Sequence, residues 1–333
     1  MRAVQVPAPG GLEQLTLAEV PVPTPGPGEV LIEVAYAACN WGDVQKRQGI
    51  YPDPVSYPAI LGAEVSGVIT ACGKGVSALR PGQFVAAITG PDMLRGFAEA
   101  VAVPHRYVIP LAPGFDPKLA AAFPVVTLTA YHLLHTAHRI RRGQTVLVHA
   151  AGGAVGLMLI QLARAAGARV IGTVGSAAKA ELPRRFGADR VIVNAEEDFV
   201  AAAMADTKRR GVDLVIDSLG ADILPRSFDA LKPYGRVINI GEAAGEPDFP
   251  VRKKLYERST SLAGFELLHA VPGSRRWRDG TRKVERMLAT SVLQVPIAAE
   301  FPLERIRDAQ AFLEARSAAG KVLISVDLGK IPG

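Results

Sequence analysis

Residues 145–176, TVLVHAAGGAVGLMLIQLARAAGARVIGTVGS, constrain the fold more than any other stretch of the chain. An apolar run at 145–149 stops at a turn of small residues, 150–156. An apolar-periodic segment follows at 157–166, then Gly167, then a second apolar run at 169–174. This order reads as strand, tight turn, helix and strand, a right-handed βαβ unit. The turn fits the dinucleotide fingerprint, with Ala151 in place of the first glycine, followed by Gly153 and Gly156. Gly153 lets the backbone approach a pyrophosphate, and Gly156 lets the helix pack against the strand. The N–H groups of Ala154 and Val155, at the helix start, face the phosphates. A glycine pattern alone is weak; this one follows a strand and opens a helix, which makes it a dinucleotide site.

The second strand narrows the ligand. NAD-type sites place an acid about 20 residues beyond the first glycine, to hold the ribose hydroxyls. Here that position reads Gly172-Thr173-Val174-Gly175-Ser176, with Lys179 close behind and no carboxylate. A hydroxyl and a lysine suit a 2′-phosphate that an acid would repel, so the expected cofactor is NADP(H). The plainer alternative makes Ser176 a helix cap and Lys179 a solvated surface charge.

The rest of the chain is organised around this unit. Its 333 residues are comfortable for two domains, and 49% hydrophobic content allows a sizeable core. Residues 1–118 read as β-rich: residues 30–35 alternate, and 65–70 and 84–88 are further apolar runs between glycine and proline turns. From Lys118 a helical pattern begins that Pro124 interrupts. Strands and helices then alternate: strands at 190–194, 212–218 and 236–241, helices at 196–208 and 222–231. That alternation predicts an α/β, doubly wound parallel sheet at 119–264. Helices at 280–289 and 304–318 and a strand at 322–326 return residues 265–333 to the β-rich domain, so that the cofactor domain is an insertion.

Composition removes several function classes. With 38 basic and 32 acidic residues the net charge of +6 is mild and scattered, whereas a nucleic-acid surface needs a clustered stripe. Cys39 and Cys72 are the only cysteines, which excludes a disulfide framework and a four-cysteine zinc site. No 18-residue uncharged apolar run or leader-type segment is present, so a cytoplasmic protein without membrane association is expected. His132, His135 and His138 sit three apart on one helix and drift off a common face, which argues against a metal site.

The sequence resembles the medium-chain dehydrogenase/reductase superfamily, and within it the zinc-independent quinone oxidoreductase branch. The blocks that carry the resemblance are AACNWGDVQKRQGIYP, YPAILGAEVSGVI, PGQFVAA, FPVVTLTAYHLL, the fingerprint stretch, DSLG, GRVINIG and EARSAAGKVLI. The resemblance implies a doubly wound Rossmann cofactor domain inserted in a β-rich GroES-like substrate domain. Zinc members place a cysteine where this chain has Asn40 and a histidine where it has Ala63, so no metal is expected. Asn40, Tyr51 and Thr129 are implied to be catalytic, with Asn40 and Thr129, or a cofactor ribose hydroxyl, donating to the substrate oxygen and either Tyr51 or water supplying the proton. Cofactor contacts are implied at Asn40, Asp43, Thr129, Gly153, Ala154, Val155, Gly156, Gly175, Ser176, Lys179, Ser218, Gly241, Phe265 and Arg316. Arg275, Arg276 and Arg278 flank Trp277 in a loop that either borders the substrate mouth or is simply solvated. The expected activity is NADPH-dependent reduction of quinones or conjugated enones by hydride transfer. The alternatives are an enoyl-thioester reductase and an NADP(H)-binding protein with little catalysis. The expected assembly is a homodimer, and the expected partner a small-molecule substrate.

Overall fold

The period-two pattern near residue 30 becomes the longest strand of a computed structural model that describes residues 1–316 and 318–326. Ser317 and residues 327–333, which the sequence reading assigns to the returning segment, lie outside the described residues. The chain forms two compact units. One comprises Met1–Val125, Val271–Thr281 and the chain from Val295 onward; the other comprises Val126–Ala270 and Arg282–Gln294. The sequence reading drew its segments at 1–118, 119–264 and 265–333. The units instead change over at Val125, and Arg282–Gln294 goes with the second unit.

The first unit begins with β1 (Arg2–Val6), β2 (Thr16–Glu19), β3 (Glu29–Cys39), α1 (Trp41–Gln48), β4 (Ala59–Ile60), β5 (Glu64–Cys72), β6 (Phe84–Ile88), β7 (Ala100–Pro104), β8 (Val108–Pro110) and α2 (Pro117–Ala122). β2, β1 and β4 make a small antiparallel sheet. In the larger sheet β3 pairs antiparallel with both β5 and β7, and β5–β6–β8 continue it. Burial alternates along the first half of β3 and becomes continuous in the second, where the strand is covered on both faces. α2 starts where it does because Pro117 suits a first helical position and Asp116 accepts from Lys118 N at 2.8 Å.

The second unit starts in α3 (Pro124–His132), whose end passes into a π-helical turn, Leu133–His138. It continues through β9 (Thr145–Val148), α4 (Ala154–Ala165), β10 (Arg169–Val174), α5 (Glu181–Arg185), β11 (Arg190–Val193), α6 (Phe199–Asp206), β12 (Val212–Asp217), α7 (Ile223–Ser227), β13 (Leu231–Asn239), α8 (Val251–Glu257) and β14 (Ser261–Gly264). The strands form a six-stranded sheet of order β11-β10-β9-β12-β13-β14, parallel at every pairing. Leu147, Ile171, Val215 and Val237 from its strands are buried with Phe199 and Phe228. Interior parallel strands are covered on both faces, which is why they read as continuous apolar runs. Strand order reverses direction between β9 and β12, the switch point at which ligands of such sheets bind.

The chain then forms α9 (Arg275–Ala289), β15 (Ile297–Pro302), α10 (Ile306–Glu314) and β16 (Lys321–Ser325). β16 joins the first unit's larger sheet between β15 and β3, with Ile324 opposite Ala37. Three expectations are corrected. The helix expected at 222–231 is the short α7 followed by a 3₁₀ turn, because the neighbouring strand β13 already begins at Leu231. Of the helix expected at 304–318, Ile306–Glu314 forms α10, after a 3₁₀ turn at Leu303–Arg305. Arg275, Arg276 and Arg278 lie on a helix rather than a loop: Trp277, Thr281, Val284 and Leu288 are buried at helical spacing and carry the arginines on the outer face. Among the described residues no helix is long and apolar enough to cross a membrane.

Candidate functional site

In the second unit the sequence-predicted residues gather along one edge of the sheet. Gly153 follows β9, Gly175 and Ser176 follow β10, Ser218 follows β12, Gly241 follows β13 and Phe265 follows β14. All strands run the same way, so these residues sit beyond their carboxyl ends. His149 N donates to Ile216 O at 3.0 Å and ties β9 to β12 across the switch point.

The phosphate turn is built by close contact. α4 begins at Ala154, with Gly153 as its extended N-cap. Leu157 N makes the first helical bond, to Gly153 O at 2.9 Å, so the N–H groups of Ala154, Val155 and Gly156 precede the ladder and point outward as an anion-binding end. A Cβ on Gly156 would lie 2.6 Å from Ala150 O and 2.7 Å from Ala151 Cα, which no side chain survives. The alanine at the first fingerprint position is accommodated by a second absence. A Cβ on Gly172, in β10, would lie 2.7 Å from Ala151 Cβ, so the methyl of Ala151 fills space that Gly172 leaves. These features fit a dinucleotide pyrophosphate.

Beyond β10 the structure brings Lys179 to the turn. A Cβ on Gly152 would meet Lys179 O at 3.2 Å and Lys179 Cβ at 3.3 Å, so the lysine backbone packs beside the fingerprint. Ser176 is the N-cap of the 3₁₀ turn Ala177–Lys179, and no atom stands within 4 Å of where a Cβ on Gly175 would be. Thr129 lies half-buried on α3. Arg316 belongs to the first unit, just beyond α10.

Asp217, the last residue of β12, is a site-building residue that sequence reading passed over. It is fully buried and accepts from Leu219 N, Gly220 N and Asn239 Nδ2, each at 3.1 Å. Asn239 also donates to Gly241 O at 3.1 Å, so one carboxylate fixes the backbone on both sides of Ser218 and Gly241. Burial raises its pKa, against those hydrogen bonds. The DSLG block carried the signal: an acid ending an apolar strand before a glycine turn.

His149 has a similar supporting part. Ser227 Oγ donates to Ile223 O, so it accepts from His149 Nε2 at 3.0 Å, while Thr173 Oγ1 donates to Nδ1 at 2.9 Å. The ring also meets Phe199 edge-on at 4.8 Å. The neutral imidazole is satisfied, and burial, with a smaller push from Arg226, depresses its pKa from 6.5 to about 3. The unfolded chain therefore takes up this proton first as the pH falls. The stability tied to neutral His149 is complete above 6.5 and is lost progressively toward 3, at up to about 1.4 kcal/mol per pH unit. Denaturant midpoints measured from neutral pH down to about pH 4 are expected to fall less steeply for His149→Gln than for the parent. Parallel curves would show that His149 does not contribute.

In the first unit, Asn40 is the N-cap of α1 and the centre of a buried polar cluster. Asn40 N donates to Asp43 Oδ2 at 2.8 Å, and Gly62 N to Asp43 Oδ1 at 3.1 Å. Burial pushes the Asp43 carboxyl up to about 6, against the pull of Lys46 and the Asn40 N–H. Asn40 Nδ2 donates to Glu64 Oε1 at 3.0 Å and to Ala38 O at 3.3 Å, while Asn40 Oδ1 accepts from Lys321 Nζ at 2.8 Å. Both amide hydrogens of Asn40 are thus spent on Glu64 of β5 and on the Ala38 carbonyl of β3, rather than directed toward a substrate oxygen. Lys321 Nζ also donates to Glu64 Oε1 at 2.6 Å and to Cys39 O at 3.0 Å. The other Glu64 oxygen accepts from Val125 N at 2.7 Å, in the first turn of α3. Lys321 and Glu64 were not singled out from sequence; they lie 257 residues apart. Tyr51, just past α1, is half-buried with its ring over Lys46.

Comparison with known proteins agrees with this architecture. Residues 26–113 match the family model described as alcohol dehydrogenase GroES-like domain, and residues 154–285 the one described as zinc-binding dehydrogenase. The chain is 32% identical to a probable quinone oxidoreductase of Schizosaccharomyces pombe over 322 residues, covering 96% of each. It is 31% identical to a 2-haloacrylate reductase of a Burkholderia species, covering 95% of this chain and 96% of that one. The crystal structure of Escherichia coli quinone oxidoreductase complexed with NADPH superposes with a TM-score of 0.93 at 29% identity, covering 98% of this chain and 100% of that one.

Proposed function

The chain belongs to the quinone oxidoreductase branch of the medium-chain dehydrogenase/reductase superfamily, and from that premise we propose that it is an NADPH-dependent reductase of quinones and conjugated enones that works without zinc. The observation that carries the reading is the cradle at the switch point, where Ala154, Val155 and Gly156 offer backbone N–H groups and Lys179, not a carboxylate, packs beside the turn. When bound, NADPH supplies the hydride. The chain's own residues bind, orient and exclude water. Ala154 and Val155 hold the pyrophosphate; Ser176, Lys179 and Arg316 hold the 2′-phosphate; Gly175, Ser218, Gly241 and Phe265 line the nucleoside and nicotinamide stretch. Asn40 and Asp43 keep the turn before α1 in place. Thr129 donates a hydrogen bond to the oxygen on which charge develops, and Tyr51 lines the substrate side. A relative named for haloacrylate reduction supports an electron-poor alkene as one acceptable substrate class.

The test is a panel assay. NADPH consumption is followed with quinones, enones and enoyl thioesters. Turnover confined to thioesters would replace this reading with a thioester reductase, and binding without turnover on any of them would leave only a cofactor-binding protein.

Zinc independence rests on side chains that do not suit the metal. Asn40 and Ala63 stand where zinc members carry ligands, and the Lys321 ammonium already sits among Cys39 O, Asn40 Oδ1 and Glu64 Oε1. A divalent cation would meet a fixed positive charge there, and burial keeps the Cys39 thiol protonated by pushing its pKa well up. Activity is expected to survive exhaustive chelation with no stoichiometric zinc in the protein. About one tightly held zinc per chain, lost together with activity, would sink this.

We also assign the chain a homodimeric state, because β14 is an edge strand of the six-stranded sheet and an edge must be covered or paired. A light-scattering mass near a single 35.2 kDa chain would count against it.

A further inference from the structure

Lys46 is a cation in an unusual place for a surface helix: its side chain is only 3% exposed. Its ammonium donates to Asp92 O and, at 3.0 Å, to Met93 O. The remaining hydrogen is left for the Tyr51 ring, whose centroid lies 4.7 Å from Nζ. Burial works against the charge on Lys46, and the carboxylates of Asp43, Asp92 and Asp53 work for it. The turn it holds is a strained one. Met93 and Arg95 have φ of 50° and 77°, in the left-handed region that costs a side-chain-bearing residue energy, so the turn needs external anchoring. Arg95 ties the same turn together with two 2.7 Å bonds to the Asp92 carboxylate. Tyr51 in turn packs over Gly42, where a Cβ would come within 3.3 Å of its ring.

We propose that Lys46 is a positioning residue for substrate, whose buried ammonium joins the Tyr51 ring and the Asp92–Met93 turn into one rigid wall. The proposal rests on the reading that Tyr51 contacts substrate. A ring held between an ammonium and a glycine shelf has little rotational freedom left to lose on binding, and its exposed remainder presents a fixed surface. No catalytic proton or electron passes through Lys46.

The experiment is a double-mutant cycle on the NADPH-loaded enzyme with a quinone substrate. Lys46→Met is expected to raise KM roughly three- to thirtyfold, the range of a desolvated cation–π contact, with NADPH affinity unchanged and kcat less affected. Lys46→Arg keeps the charge and is expected to restore KM. In the Tyr51→Ala background, Lys46→Met is expected to add nothing further. Fully additive effects, or a loss of NADPH affinity in step with KM, would overturn the proposal. An unchanged KM for Tyr51→Ala alone would instead remove the underlying reading of Tyr51, and the proposal with it. If Lys46→Met lowers the melting temperature too far to assay, Lys46→Gln, which keeps donors for the two carbonyls, takes its place under the same criteria.

Discussion

Lys321→Met is expected to destabilise the protein by roughly 3–5 kcal/mol, the largest single-residue effect in the first unit. Lys321 and Glu64 are 2% and 0% exposed and bond at 2.6 Å. The ammonium spends its hydrogens on Glu64, Asn40 and the Cys39 carbonyl. Removing it strands a buried carboxylate that only the Asn40 amide and Val125 N still contact. Contrast Arg305–Asp308, which closes to 2.6 Å but is more than half exposed on both sides. Such a pair is worth at most about 1 kcal/mol. The combined Lys321→Met, Glu64→Gln variant removes both charges and is expected to recover a large share of the loss, since neutral replacements of buried pairs are often tolerated. Urea midpoints for the three proteins decide the matter. A loss of under about 1 kcal/mol for Lys321→Met would mean that water reaches the pair.

Lys179→Ala is expected to weaken NADPH binding by about ten- to hundredfold and to leave NADH binding nearly unchanged. A charge-assisted lysine–phosphate bond is worth about 1.5–3 kcal/mol, and NADH carries no phosphate at that position to lose. Were Lys179 only a solvated charge, both cofactors would respond weakly and alike. Nicotinamide fluorescence titrations of parent and variant with each cofactor separate the two cases. Equal affinity for NADH and NADPH in the parent would refute the assignment of the whole 176–179 segment.

The cofactor unit was legible because its information is local. Gly153, Gly156, Ser176 and Lys179 fall within one βαβ unit, where strand, turn and helix are neighbours in sequence and the turn chemistry is dictated by backbone space. Even so, the reason Ala151 can replace a glycine was hidden, because it depends on Gly172 across the sheet. The first unit's cluster was not legible. Asn40 attracted notice through its motif, but what occupies its amide is settled by Lys321, 281 residues away. Lys46 reads as an ordinary basic residue in KRQG until the Asp92 turn folds over it. The helix expected at 280–289 is present in α9, but its first residues, 275–279, were missed for a different reason: the arginines there read as a loop, while the signal lay in Trp277, in register with Val284 and Leu288. Ser274 marks the helix start, its Oγ accepting from Trp277 N at 3.2 Å, and packing of a narrow apolar stripe holds the element in place.

The place of β16 between β15 and β3 bears on how the chain is made. A ribosome delivers β3 and β5 early, yet the strand that joins their sheet, and the cation that neutralises Glu64, come 257 residues after Glu64. At cellular elongation rates that interval is roughly 10–50 s. Throughout it the nascent first unit holds an unpaired edge along Tyr36–Cys39, the end of β3 that β7 does not cover, and a carboxylate it cannot comfortably bury, whereas all six strands of the parallel sheet are synthesised before β16 emerges. Vectorial synthesis therefore favours early closure of the second unit and leaves the first waiting for its last strand.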